Sequence, residues 1–189
     1  MKVFVNPGHK LGLDSGAVNP DSGMQEADVA LAVGKLVVKY LTTAGVDCVI
    51  LQSNSLNGED EDEDNPSICR TANESGADIF VSIHCNAANG AAHGTEVEVY
   101  SYNSTEATEL GQCIQDQIVS ALGTTDRGLK ERPNLAVLRG TDMPAVLVEM
   151  AFIDNNDDAE LLTNKQDEFA RAIARGVTDW ECDIMKSDV

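Results

Sequence analysis

Positive charge is scarce in this sequence: 13 lysines and arginines stand against 32 aspartates and glutamates, a formal charge of −19. Nucleic acids and anionic membrane surfaces are gripped by basic patches, so neither is expected as a partner. Aromatic residues make up 4% of the chain, with one tryptophan, so any core must be aliphatic. No apolar run approaches the roughly 20 residues needed to cross a bilayer. Met1 runs straight into Val3-Phe4-Val5, with no charged leader, apolar signal segment or cleavage site. Cys48, Cys69, Cys85, Cys113 and Cys182 are an odd set without a C-x-x-C pair, which argues against a disulfide framework or a cysteine zinc site and for reduced thiols.

What is present is an aliphatic chain of one-domain size: 189 residues, 42% of them hydrophobic. Neither repeat nor linker interrupts it, so residues 1–189 are expected to form a single domain. Lys2 to Asn6 reads as a buried strand ending at Pro7-Gly8. Ser22 and Gln25 have capping-box spacing, and the apolar positions that follow predict a helix from about Gly23 to Ala44, stopped by Gly45. Val46 to Leu51 reads as a strand and Ser53 to Pro66 as a polar loop whose acidic block, Glu59 to Asp64, is solvated. Further on come a short helix (Ser67 to Ser75), a buried strand (Asp78 to Ile83) and a strand exposed on one side (Gly94 to Tyr100). A helix (Thr105 to Leu122), strands at Leu135 to Leu138 and Ala145 to Val148, and a helix from about Lys165 to Trp180 complete the pattern. Strands alternating with helices predict an α/β fold: a single mixed, mostly parallel sheet with helices on both faces.

In open α/β sheets, ligand sites form at the carboxyl ends of the strands, where the loops converge. His9 follows the first predicted strand, His84 follows Asp78 to Ile83, and Glu149 follows Ala145 to Val148. Glu26 lies in the first turn of the helix after the first strand. Each has a plain structural alternative, Glu26 above all, because the helix dipole favours an acid there. Two of the chain's three histidines and two carboxylates on one edge are harder to dismiss. Two imidazoles and a carboxylate are the ligand set of a hydrolytic zinc ion that keeps a fourth position for water, and Glu149 would then be the base. Cys85 cannot serve as a nucleophile for His84, since adjacent strand residues face opposite ways. His93 has no evident partner and reads as a surface residue.

Beyond single residues, an ordered series of short motifs spans nearly the whole chain: Asn6-Pro7-Gly8-His9, Glu26, Arg70 with Asn73, and Ser82 to Ala87. It continues with Gly94-Thr95-Glu96, Arg127-Gly128-Leu129-Lys130, and Pro144 to Glu149 followed by Phe152-Ile153-Asp154-Asn155. In this the sequence resembles the zinc-dependent N-acetylmuramoyl-L-alanine amidases of the amidase 3 type. The resemblance implies one zinc ion held by His9, Glu26 and His84, Glu149 as the catalytic glutamate, and substrate contacts at Asn86, Arg127 and Lys130. The substrate implied is bacterial peptidoglycan, cut between N-acetylmuramic acid and the L-alanine of the stem peptide. Lys10-Leu11 replaces the Gly-Gly common after the first histidine, and Gln52-Ser53 replaces the usual Thr-Arg after the second strand. Neither touches a proposed ligand.

Some members of the family carry an inhibitory helix, but Tyr100 to Arg127 has room for one helix only, so no activator protein is expected. Without a leader, the chain is expected to reach the wall either from the cytoplasm upon lysis or as the mature domain of a secreted precursor. Two other readings are a zinc peptidase on a related α/β fold and a non-catalytic wall-binding module with a structural metal. A free-standing carboxylate at Glu149 counts against the latter.

Overall fold

The computed structural model describes residues 1–58 and 61–187. In chain order the elements are β1 (Lys2–Pro7), α1 (Glu26–Thr43), β2 (Asp47–Ile50), α2 (Ile68–Glu74), β3 (Ile79–Asn86), β4 (Thr95–Val99), α3 (Thr105–Leu122), β5 (Asp126–Glu131), α4 (Ala136–Gly140), β6 (Ala145–Phe152), α5 (Asn156–Asn164) and α6 (Gln166–Ser187). One six-stranded sheet has the order β2-β1-β3-β6-β4-β5. Strands β2, β1, β3 and β6 are mutually parallel, whereas β4 is antiparallel to β6 and parallel to β5. The mixed, mostly parallel sheet expected from the sequence is the one observed.

Period-two alternation sorts the strands' side chains onto two faces. Val3, Val5, Val81, Ile83, Val97, Val146 and Val148 fill one face, where they pack with apolar residues of α1, α3 and α6. Helices α3 and α6 come close there because Gly176 has no side chain; a Cβ would lie 2.6 Å from Ile114 Cα. The other face carries Phe4, Phe80, Ala145 and Leu147 under α2 and α4. The rings of Phe4 and Phe80 stack at 5.6 Å between centroids, each fully buried and worth about 1.5–3 kcal/mol in transfer free energy. Toward the carboxyl ends this second face turns polar, with Asn6, Ser82, His84 and Glu149 succeeding the aromatic and aliphatic residues. No described helix is long and apolar enough to cross a membrane.

Several sequence expectations are corrected. Leu135 to Leu138 is not a strand: Ala136–Gly140 is helical, reached by a turn in which Leu135 N donates to Arg132 O. A four-residue apolar run has no periodicity that separates the two states. Strand β5 and helix α5 went unrecognised, the first because its sequence, DRGLKE, is polar and only half-buried. The Ser22/Gln25 capping box does not form; α1 starts at Glu26, Gln25 makes no side-chain cap, and Ser22 Oγ bonds to Asn19 Oδ1. The supposedly exposed face of β4 is closed, with Glu96 3% and Glu98 6% exposed. Arg127 and Arg132, from β5 and the residue beyond it, pair with those two carboxylates. Of the acidic block, residues 59 and 60 lie outside the described residues; Glu61 pairs with Arg70, and Asp64 O accepts from Lys10 Nζ.

Candidate metal centre

Strand β1 ends at Pro7, and Gly8 N still donates to Ile83 O at 2.9 Å, which holds the next residue beside β3. That residue, His9, is the one non-glycine with positive φ among the described residues, at 60°. Backbone strain of this kind persists where surrounding contacts over-determine it, and it concentrates at functional sites. The contacts are visible. His9 Nδ1 bonds to Asp14 Oδ2 at 2.7 Å, while Nε2 faces Glu26 Oε2 at 3.1 Å. The small hairpin that carries Asp14 closes through Lys10 N to Asp14 O at 3.1 Å.

Glu26, the first residue of α1, is buried, and each of its oxygens has two partners. Oε1 accepts from Cys85 N at 3.0 Å and bonds to His84 Nδ1 at 2.9 Å; Oε2 accepts from Ala17 N at 2.9 Å and meets His9. Burial alone would push this carboxyl up, but the hydrogen bonds with His84 and His9 outweigh it and hold Glu26 well below the usual carboxylate range. The same hydrogen bond with Glu26 is the largest influence on His9. Opposed by burial and reinforced by Asp14, it raises the imidazole from 6.5 to about 9. The two rings stand edge to face with centroids 5.1 Å apart. Glycines make the space: a Cβ on Gly8 would run into the His84 ring, and one on Gly16 into His9 and Glu26.

His9, Glu26 and His84 each present a ligand atom, all within 4.8 Å of one another. A buried carboxylate between two imidazoles is a donor set suited to a borderline cation such as zinc, and it fits such an ion without rearranging the backbone. Asp14 was missed by sequence reasoning. It occupies the orienting position that carboxylates take behind metal-bound histidines, fixing Nδ1 so that Nε2 faces inward. Its signal was the short His9-to-Asp14 spacing within a glycine-rich loop.

Glu149 lies in the middle of β6 rather than after it, since the strand continues to Phe152. It is in register with His84 on β3 and Glu96 on β4. Its Oε2 is sealed from solvent and has no hydrogen-bond partner. Burial, then the charges of Glu26, Glu98 and Glu96, drive this carboxyl far above the ordinary value, with Arg132 opposing. Glu96 is structural: it accepts from Asn86 Nδ2 at 3.1 Å and from Arg127 Nε at 2.7 Å, and the Arg127 guanidinium sits 4.8 Å above the Phe152 ring. Lys130 Nζ donates to Arg127 O. Cys85 is buried on the opposite side of β3 with its thiol pushed well up by burial, and His93 is exposed. The motif after Glu149 is scaffolding. Asp154 Oδ2 accepts from Ala88 N and Gly90 N, and Asn155 caps α5.

Fold and site together define a class, an α/β domain bearing a His-Glu-His donor cluster that could hold a metal ion, with a buried, unpartnered carboxylate alongside. Residues 3–179 match the profile of the N-acetylmuramoyl-L-alanine amidases, and the chain belongs to that family. It is 38% identical over 190 residues to the endolysin of Bacillus phage SPP1, covering 97% of this chain and 65% of the endolysin. To the N-acetylmuramoyl-L-alanine amidase CwlM of Bacillus licheniformis it is 35% identical over 176 residues, covering 93% and 65%. This chain thus spans just under two thirds of the length of those two relatives. The crystal structure of an N-acetylmuramoyl-L-alanine amidase from Clostridium difficile 630 superposes with a TM-score of 0.81 at 31% identity, covering 95% of both chains.

Proposed function

We propose that this chain is a single catalytic domain that hydrolyses the amide bond joining N-acetylmuramic acid to the L-alanine of the peptidoglycan stem peptide. The observation that carries the reading is the unpartnered Glu149 carboxylate, in register with His84 at the edge of the three-donor cluster. His9, Glu26 and His84 would hold one zinc ion. When bound, zinc supplies Lewis acidity, lowering the pKa of a coordinated water and polarising an amide carbonyl.

The chain's own residues do the rest. Glu149 would accept the proton of the attacking water and return it to the departing alanine amine. Asp14 keeps His9 oriented, and the Glu26 hydrogen bond to Cys85 N ties the carboxylate to β3. Asn86, Arg127 and Lys130, the substrate contacts implied by the resemblance, would meet the substrate on the Glu149 flank. Nothing but helix α3 lies between β4 and β5, so we expect activity without an activator protein.

The test is digestion of purified wall with the isolated, zinc-loaded chain. Mass spectrometry should find intact glycan and free stem peptides with a new alanine amino terminus. New amines at a later peptide bond would instead identify a zinc peptidase. Binding to wall without release of any amine would identify a binding module.

A further inference from the structure

Where β6 begins there is a cavity of about 430 Å³, a volume in the range of ligand sites. Leu138, Met143, Pro144 and Ala145 make part of its lining aliphatic, and Tyr100, one residue past β4, adds an exposed aromatic ring. Glu106, Arg139 and Asp142 bring charges of both signs to the same lining, and all three are exposed. Outside helical backbone bonds, only the backbone of Asp142 is engaged, its N donating to Asn73 Oδ1. The three side chains form no hydrogen bond or ion pair among the described residues, whereas Arg70, Arg127, Arg132, Lys165, Arg171 and Arg175 each meet a carboxylate. Opposite charges that line one cavity without meeting leave room for a ligand to bridge them.

The sheet fixes how far this cavity stands from Glu149. Glu96 pairs with Glu149 and Val99 with Val146, so β4 and β6 run side by side from the proposed catalytic end to Tyr100 and Ala145 in the cavity wall. Ala145 and Glu149 are four residues apart on β6, about 13 Å at roughly 3.3 Å per residue. An extended stem peptide whose scissile nitrogen lies at Glu149 advances by a similar step, so the side chain of its third residue comes within reach of the cavity. In peptidoglycan that residue is a diamino acid, an aliphatic chain ending in an ammonium and, in some walls, a carboxylate as well. The glycan offers hydroxyl and acetamido groups but no ammonium, so it matches these charges less well.

Resting on the amidase reading above, we propose that this cavity is the subsite for the diamino acid at the third position of the stem. Glu106 and Asp142 meet the ammonium of its side chain, and Arg139 meets a carboxylate where the side chain carries one, a planar group that a guanidinium can hold through two parallel bonds. Leu138 and Met143 line the path of the methylenes. Two acids against one arginine make the ammonium the required part and the carboxylate the additional one.

The experiment compares kcat/KM of the zinc-loaded chain on three synthetic muramoyl tetrapeptides that differ only at the third residue: diaminopimelate, lysine or norleucine. The two charged compounds should exceed the norleucine compound by about fivefold or more, the difference lying in KM, as expected for exposed charge pairs that bind ground state and transition state alike. In the Glu106→Gln/Asp142→Asn double variant this advantage should shrink to about twofold or less. Arg139→Gln should remove only what diaminopimelate gains over lysine. Because these side chains hold nothing inside the protein, zinc content and Tm should stay at wild-type values. Equal kcat/KM on all three compounds within about twofold, or a preference that the double variant retains, overturns the subsite while the amidase reading stands. If no compound yields a new alanine amine, the amidase reading fails. Titration calorimetry with the three free tetrapeptides, lacking the sugar, then decides the subsite: affinity that ignores the third residue, or no binding, overturns it.

Discussion

Glu149 and His84 are cross-strand neighbours, paired in register on β6 and β3, so one strand of the sheet delivers a metal-ligand candidate and the next delivers the carboxylate. Their spacing is set by sheet hydrogen bonds rather than by a loop, which makes the arrangement rigid. The Glu149→Gln variant keeps the shape of the side chain and removes its capacity to take a proton. Turnover should fall roughly 10²- to 10⁴-fold, the range of general acid–base assistance, with zinc content unchanged. Reduced zinc content, relieved by excess metal, would make Glu149 a ligand instead.

Metal removal gives the second expectation. Chelation should abolish amine release and zinc should restore it. His84→Ala should lose zinc by elemental analysis. Asp14→Asn is the more discriminating change, because Asp14 touches His9 Nδ1 and belongs to no ligand set. It should weaken zinc affinity by about 10- to 100-fold and recover turnover at high zinc. Wild-type affinity in that variant would show that the contact orients nothing.

How much of this was legible in the sequence follows from what each signal depends on. The strands β1, β3 and β6 are continuous aliphatic runs, and their burial on both faces is written in Val3-Phe4-Val5, Ile79 to Ile83 and Ala145 to Val148. His9, Glu26 and His84 could be brought together because each adjoins a recognisable strand end or helix start. What failed depends on tertiary contact. Glu96 and Glu98 read as solvent-facing until Arg127 and Arg132 cover them, and β5 exists as a strand only because β4 offers it an edge. Asp14 lies in a loop, where no periodicity announces what a side chain will meet.

The third prediction concerns pH and the metal-free protein. His9 is raised from 6.5 to about 9, chiefly by its hydrogen bond with Glu26. A group whose folded pKa is raised stabilises the fold fully below its unfolded value and loses that contribution as pH climbs through the folded one. The Tm of chelated protein should therefore decline between about pH 6.5 and 9 relative to a chelated His9→Ala variant. Zinc competes with the same proton, so its affinity should increase over that window. Parallel Tm curves for the two proteins would refute the pairing.

The final prediction turns on Gly8. Its φ is not in the left-handed region, so alanine meets no backbone penalty there, and any effect must come from the added methyl. That methyl would collide with Cε1, Nε2 and Nδ1 of His84, a ring that cannot retreat because Glu26 bonds to it from beyond. Overpacking of this kind costs about 1–3 kcal/mol, but here the strain falls on a proposed ligand rather than on an inert core side chain. Gly8→Ala should therefore weaken zinc binding and cut turnover by more than it lowers the Tm of the chelated protein. Gly12→Ala supplies the contrast: it sits in the same loop with nothing near its Cβ, and its cost is purely the conformational one of a φ of 81°. It should lower Tm with little change in zinc affinity. If both variants bound zinc like the wild type, His84 would not be a ligand, and the centre would have to be rebuilt around other donors.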